Sequence, residues 1–261
     1  MTQPTTALVT GASSGIGKEL AREHARRGGN LILVARRKEM LEALKQELLN
    51  DYPSLTIDVL DMDLSKPGSA TRLVQHLREH DQSIDILINN AGFGVFGPFL
   101  ENDWASVENM LQLNITTLTE LSRLLAPAMV RRGYGRILNV ASTAAFQPGP
   151  NFSTYYASKA YVLNFSEAIS HELRGTGVTV TTLCPGPTES EFQERANMGS
   201  IALFDRFPLP SSSEVAAYGY RKMLQGKRVA VHGFLNRITA RLVRLMPRAL
   251  ILPAVERLQQ R

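Results

Sequence analysis

The chain is expected to fold as α/β, a doubly wound parallel sheet of about seven strands with helices on both faces and a basic amphipathic helix at its carboxyl end. Three observations lead there. Short apolar runs alternate along the chain with longer helical patterns, as in successive βαβ units. The first apolar run passes directly into a glycine-rich turn and then a helix. The length of 261 residues and the 44% hydrophobic share suit one α/β domain, 1–261, with a sizeable core.

Thr6 to Thr10 is the first strand, and the turn that follows runs Gly11-Ala12-Ser13-Ser14-Gly15-Ile16-Gly17. Leu20, Ala21 and Ala25 mark the helix after it, Gly28-Gly29 ends that helix, and Asn30 to Ala35 is the second strand. A lone Gly-x-x-x-Gly-x-Gly carries little weight; a strand before it and a helix after it supply the required setting. Small residues let the backbone turn tightly and let a pyrophosphate reach the amides at the helix start, where the macrodipole favours an anion. Gly11, Ser13, Ser14, Gly15, Ile16 and Gly17 are therefore candidate cofactor ligands in a Rossmann-type dinucleotide fold.

The end of the second strand bears on which dinucleotide binds. A carboxylate there would accept bonds from the ribose hydroxyls of NAD. This chain has Ala35, then Arg36 and Arg37, and no acid until Glu39. Guanidinium forks suit a 2′-phosphate, so NADP(H) is the expected cofactor, in preference to two arginines that merely face water.

Asp58 to Leu64 ends a third strand, and Ile84 to Ile88 forms a fourth, closed by Asn89-Asn90-Ala91-Gly92. The fifth, Arg136 to Val140, delivers Ser142 at its carboxyl end. Ligands of open parallel sheets bind at such ends. The glycine loop, Asn89 to Gly92, Ser142 and Cys184-Pro185-Gly186-Pro187 should converge on one crevice.

Tyr155 and Lys159 stand four residues apart, on one face of a helix, with Ser142 thirteen positions before Tyr155. A cation about 5 Å from a phenol, at an effective dielectric of roughly 20, favours the phenolate by up to ~3 kcal/mol, or about two pKa units. Such a tyrosine moves toward the working range of a general acid or base. A serine hydroxyl beside it can hold a carbonyl oxygen while a hydride arrives at the carbon.

At this point the sequence resembles the short-chain dehydrogenase/reductase family, in its compact single-domain form. The matching residues are Thr10 to Gly17, Asp63, Asn89 to Gly92, Asn114, Ser142, Tyr155 with Lys159, and Pro185 to Thr188, in the family's order and spacing. The resemblance implies that Tyr155 is the proton donor or acceptor and that Ser142 orients the substrate carbonyl. It implies that Lys159 lowers the tyrosine pKa and binds the nicotinamide ribose, and that Asn114 completes a proton relay through water. Asp63 would hold the adenine ring, Asn90 the adjacent ribose with Ala91 and Gly92 beside it, and Pro185, Gly186 and Thr188 would place the nicotinamide. Arg36 matches the arginine of members that use NADP. Assembly into homodimers or homotetramers, through helices around 104–130 and 152–173, is implied as well. Asn114 has a plainer reading too, as a mid-helix amide satisfying a local backbone break.

The expected activity is an NADP(H)-dependent oxidoreductase acting on a CH–OH or C=O carbon, with the alternative of a cofactor-binding regulatory or scaffold protein that has no turnover. A substrate lid is expected over about 188–212, with Phe192, Met198, Ile201, Leu203, Phe204 and Phe207. Together with Phe93, Phe96, Phe99, Phe146 and Phe152 its apolar content points to a hydrophobic substrate: a 3-oxoacyl chain, a steroid-like ketone or a long aldehyde. Ser211 to Glu214 reads as the cap of the next helix. Cys184 is the only cysteine and reads as a buried small hydrophobe. The five histidines lack metal-ligand spacing, so no metal is expected. With the first strand starting near residue 6 there is no room for a signal peptide, and a reducing cytosol is the expected location.

The overall charge of +5 conceals a division. Residues 221–261 hold ten Lys or Arg against one acid, Glu256, so the rest of the chain is net negative. Leu235, Ile238, Leu242, Leu245 and Met246 recur at helical spacing over about 234–261, with Arg237, Arg241, Arg244 and Arg248 on another face. Three uses compete: docking on an anionic membrane surface, binding an acidic carrier or acyl phosphate group, or packing with solvated arginines. The arginines and Pro247 exclude a membrane span, and no motif for nucleic acid accompanies the charge.

Overall fold

The computed structural model describes residues 4–189, 191–192, 209–243 and 245–259. Seven parallel strands form one sheet in the order β3-β2-β1-β4-β5-β6-β7. They are β1 Thr6–Thr10, β2 Asn30–Ala35, β3 Ile57–Asp61, β4 Ile86–Asn89, β5 Gly135–Val140, β6 Val178–Cys184 and β7 Val229–Val231. Alternate residues of each strand feed opposite layers. Ala7 and Val9 join Leu31 and Leu33 beneath α1 (Gly15–Ala25), α2 (Lys38–Asp51) and α7 (Ser212–Leu224). Leu8 joins Ile32 and Val34 on the other face, beneath α3 (Ser69–Glu79) and α5 (Leu118–Arg132). Strands buried on both faces need this continuous apolar content. The expected fold class is the observed one.

Strand order reverses between β1 and β4, which lie side by side with Ala7 opposite Ile86. The chain therefore opens a crevice at the carboxyl ends of these two strands. The first two strands run as read from the sequence. The third is shorter, because its last ladder partner is Ala35 opposite Asp61, and Asp63 beyond it turns back to accept bonds from the Ser65 amide and hydroxyl. The fourth begins at Ile86 rather than Ile84, whose carbonyl accepts a bond from the Arg132 guanidinium.

Helix α4 (Trp104–Leu111) continues into α5 through a π-helical turn, Gln112–Thr117. Helix α6 (Ser153–Glu172) follows β5. A buried polar chain ties this half together: Asn89 of β4 donates to Ser122 on α5 at 3.2 Å and to Asn139 of β5 at 2.9 Å, and Asn139 donates to Ser166 on α6 at 2.8 Å. Ser211 caps α7 in a capping box with Glu214, as read from the sequence.

The basic carboxyl end is two helices rather than one, α8 (Phe234–Leu242) and α9 (Arg248–Gln259). Pro247 stands immediately before α9, where it disfavours helical backbone at the residue ahead of it and lacks an amide donor. Arg244 lies outside the described residues. Among the described residues no helix is long and apolar enough to cross a membrane.

Candidate active site

The residues singled out by sequence do meet. A crevice of about 570 Å³ is lined by Gly11, Ser13 to Ile16, Arg36, Arg37, Asp63, Asn90 to Gly92, Ser142, Tyr155, Lys159, Pro185, Gly186 and Thr188. Gly17 and Asn114 stand behind its wall.

The glycine loop begins at Gly11 with φ +67, the left-handed region that suits glycine. Any side chain at Gly17 would collide with the Gly11 carbonyl and the Asn90 amide, so this residue sets how closely α1 approaches the loop. Ser14 is the N-cap of α1, makes no side-chain cap bond, and no acid sits in the first turn. Open amides and the positive end of the helix thus face the crevice, as a pyrophosphate requires. Thr10, Asn90 and Ala91 lock the two loops. The Thr10 hydroxyl accepts from the amides of Asn90 and Ala91, each at 3.0 Å, and the Asn90 side chain donates to the carbonyls of Thr10 and Gly11.

Beyond β2 the two arginines differ. Arg37 donates to Glu191 at 2.9 Å and to the Ser13 hydroxyl at 3.3 Å, bridging the glycine loop to the first residues of the expected lid. Arg36 is exposed and makes no salt bridge among the described residues. Burial alone would raise the pKa of Asp63, but the Ser65 hydrogen bonds and the charges of Arg36 and Lys66 outweigh it and hold the carboxylate below its ordinary value.

At the other end of the crevice Tyr155 is buried, with its ring stacked on Phe152 at 4.4 Å and 16°. Phe192 packs on it from a third side at 5.3 Å, and Phe93, Val95 and Phe96 complete an apolar wall. Ser142 accepts a bond from the Ala144 amide, which orients its oxygen. Lys159 is also buried; its Nζ donates to the Val140 carbonyl at 2.9 Å and lies 5.7 Å from the centre of the Tyr155 ring. Asn114 sits in the π turn and clamps the backbone of Phe93, donating to its carbonyl and accepting from its amide, while also donating to Ser158 at 3.1 Å. Ser158 in turn donates to the Tyr155 carbonyl at 2.7 Å. Such π turns recur at functional sites, and this one lets Asn114 satisfy local backbone from behind the crevice wall.

Burial works against the expected lowering of the Tyr155 pKa by Lys159. Burial pushes the phenol well above its ordinary value, and a hydrogen bond from Ser142 opposes it only in part. The lysine is directed at the Val140 carbonyl, and its own burial brings it down to about 8, with Cys184 opposing. Desolvation is the leading cause for each group.

Among the aromatics expected to meet a substrate, Phe93, Phe96, Phe152 and Phe192 gather about Tyr155. Phe99 is exposed, and Phe146 packs behind the site with Leu118 and Val162. Met198, Ile201, Leu203, Phe204 and Phe207 lie outside the described residues. Ser158 and Val140 were not singled out by the sequence reading, and Thr10 entered it only as the end of the first strand and the start of the matched glycine segment. Ser158 was legible as the i+3 neighbour of Tyr155, whereas nothing marked the Val140 carbonyl. Among the described residues no group of three or more His, Cys, Asp or Glu is placed to hold a metal ion.

Comparison with known proteins agrees with this geometry. A family model described as short chain dehydrogenase matches residues 5–200. A very-long-chain 3-oxoacyl-CoA reductase of Neurospora crassa is 32% identical over 230 residues, 80% of this chain and 68% of that protein. A short-chain dehydrogenase from Sphingobium yanoikuyae, solved in complex with NADPH, is 32% identical with a TM-score of 0.81 over 94% of this chain and 97% of that one. The bulky-bulky ketone specific alcohol dehydrogenase of Comamonas testosteroni is 32% identical with a TM-score of 0.77, over 94% and 96%. The chain spans between 52% and 77% of the length of the curated relatives it matches.

Proposed function

The chain belongs to the short-chain dehydrogenase family of oxidoreductases, and on that premise we propose that it is an NADP(H)-dependent reductase of hydrophobic carbonyl compounds. The observation that carries the reading is Tyr155, a buried phenol beside Ser142 and Lys159, walled by Phe93, Phe96, Phe152 and Phe192. A bound nicotinamide would supply or accept the hydride. Ser142 holds the substrate oxygen, and Tyr155 gives that oxygen a proton. The phenol carries its proton at neutral pH, as donation to the substrate oxygen requires. Lys159 brings a positive charge to the ribose side of the crevice, and Asn114 fixes the Phe93 backbone opposite. Asp63 and Asn90 are assigned to the adenosine end, and Pro185, Gly186 and Thr188 to the nicotinamide.

Support for a hydrophobic substrate comes from the aromatic wall and from relatives named for 3-oxoacyl-CoA and bulky ketones. An intact Tyr155, Ser142, Lys159 and Asn114 set argues against a binder without turnover. Self-association would use α4–α5 and α6, where Trp104 and Tyr161 are exposed.

The direct test is oxidation of NADPH with a graded panel, from short aldehydes through steroid ketones to long 3-oxoacyl thioesters. Turnover that climbs with apolar bulk is expected. Absence of turnover on every member, with NADPH bound tightly, would return weight to the non-catalytic alternative.

The cofactor preference has its own test. Arg36 is exposed at the rim, and its guanidinium suits the 2′-phosphate. Loss of one charge-assisted phosphate contact costs about 1.5–3 kcal/mol, so Arg36→Ala should weaken NADPH by roughly 10- to 100-fold. NADH affinity should move less than about threefold. Titration of both dinucleotides by fluorescence reads the difference, and equal losses would reject the assignment.

A further inference from the structure

Helix α8 turns the wrong face outward for a helix that only packs. Its inward residues are Ala240, which is buried, and Asn236, whose amide donates to the His232 carbonyl at 2.8 Å and abuts Gly186. Its outward residues are apolar: Phe234 is 69% exposed, Leu235 68%, Leu242 51% and Ile238 38%. At about 100° per residue these four span one arc, with Arg241 and then Arg237 along a single edge of it. Leu245 and Met246, just beyond the helix, are exposed as well. The leucines and isoleucines of β1, β2 and β4 are by contrast buried, and the other strongly exposed apolar residues, Phe99, Leu100 and Trp104, lie on a different segment with no comparable row of arginines.

Charge says what covers this face. From Val215 to Val255 the chain contains no Asp or Glu, yet it carries eight Lys or Arg. Neither Arg237 nor Arg241 makes a salt bridge among the described residues, and the Arg237 guanidinium lies over the Phe234 ring at 5.9 Å. A second copy of the chain on this face would bring arginine rows of like sign together across a two-fold axis. An anionic lipid surface instead accepts both halves of the pattern, apolar side chains at the acyl boundary and guanidinium groups among the headgroups.

We propose that α8 is a membrane-docking element that lays the arc Phe234, Leu235, Ile238 and Leu242 into the surface of a bilayer containing acidic phospholipid. Because α8 abuts Gly186 and packs on the turn Thr143–Phe146, docking sets the crevice rim beside the lipid. A lipophilic substrate could then pass between bilayer and crevice without crossing water. The docking itself does not depend on the catalytic reading, since its assay reads lipid binding alone.

The experiment is sedimentation of the full chain with phosphatidylcholine vesicles, alone or with about 30% phosphatidylserine, at low and high salt. Binding to the acidic vesicles, weaker in salt and much weaker on neutral ones, is expected. Leu235→Glu with Ile238→Glu should lower the partition coefficient roughly tenfold or more. Arg237→Gln with Arg241→Gln should lower it by a similar factor and flatten the salt dependence. Both pairs are on the exposed face, so melting temperature and NADPH affinity should stay as in the parent and report any misfolding. Failure to sediment with acidic vesicles overturns the proposal, as does equal binding to neutral ones. So does an Leu235→Glu, Ile238→Glu protein that splits from a larger to a smaller species on size exclusion while its lipid binding is unchanged. That result would give the face to a second copy.

Discussion

Tyr155→Phe should lose turnover by about 10²- to 10⁴-fold, the range of a positioned general acid, while NADPH affinity stays within about threefold. The substitution removes one oxygen and leaves the ring. The stack on Phe152 at 4.4 Å and the contact with Phe192 at 5.3 Å both survive, so the aromatic wall keeps its shape. At neutral pH the phenol is uncharged in both the folded and unfolded chain, so its raised pKa carries no stability change there, and its removal should alter the melting temperature little. Stopped-flow measurement of the first turnover, beside cofactor titration, separates the two effects. A drop in NADPH affinity beyond tenfold would mean that the hydroxyl serves the cofactor. Near-normal turnover would mean that another group supplies the proton.

Lys159→Met should move activity and stability in opposite directions. The ammonium is buried with one hydrogen bond among the described residues, to the Val140 carbonyl, and its pKa falls from 10.5 to about 8. At about 1.4 kcal/mol per pKa unit, holding this charge costs the fold about 3 kcal/mol. Methionine has similar length and no charge, and the lost hydrogen bond offsets about 1 kcal/mol of the gain. A net stabilisation of about 2 kcal/mol should raise the melting temperature by roughly 4–8 °C in a chain of this size. Below pH about 8 the lysine is protonated in both the folded and unfolded chain, and the burial penalty is present in full. As pH rises from about 8 toward 10.5 the folded form sheds its proton first, so the parent gains stability and the gap to the variant narrows. Turnover should meanwhile fall by at least about a hundredfold, as expected when a preorganised charge is removed from a site. Thermal melts at several pH values decide the matter: a variant less stable than its parent at pH 7 would show that the lysine is a structural support.

These two expectations also mark how far the residues alone could be read. Spacing puts Tyr155 and Lys159 on one helical face, and they are on it. Spacing does not say where a four-carbon side chain ends, and the Nζ ends on Val140, a residue of β5 that carries no sequence signal. The crevice was legible because its parts follow strands directly, as in Thr10 to Gly17, Asn89 to Gly92 and Ser142. Boundaries depending on tertiary partners were less so, as at Ile84, whose carbonyl is engaged by Arg132 from another element. The carboxyl end had the right periodicity, but Pro247 divides it, and periodicity could not show that the apolar arc of α8 faces out. Asn114 was read in two ways, and the π turn bears on the plainer one, since its side chain is bonded to the Phe93 backbone and to Ser158.

The buried pair Asn89 and Asn139 bears on folding fidelity. In a parallel sheet of interchangeable leucines, isoleucines and valines, neighbouring strands can slide by a step and still bury oil against oil. Asn89 lies opposite Asn139 in the ladder, and their amides reach Ser122 and Ser166 on separate helices. Sliding β4 past β5 by one residue would turn these amides toward the other layer and leave polar groups without partners in a dry interior. The pair therefore acts as an alignment mark. Because Ser142 follows β5 by two residues and Tyr155 rides on α6, the same mark sets the spacing of the two hydroxyls. An error of alignment would be rejected as a misfold before it could persist as a folded but inactive chain.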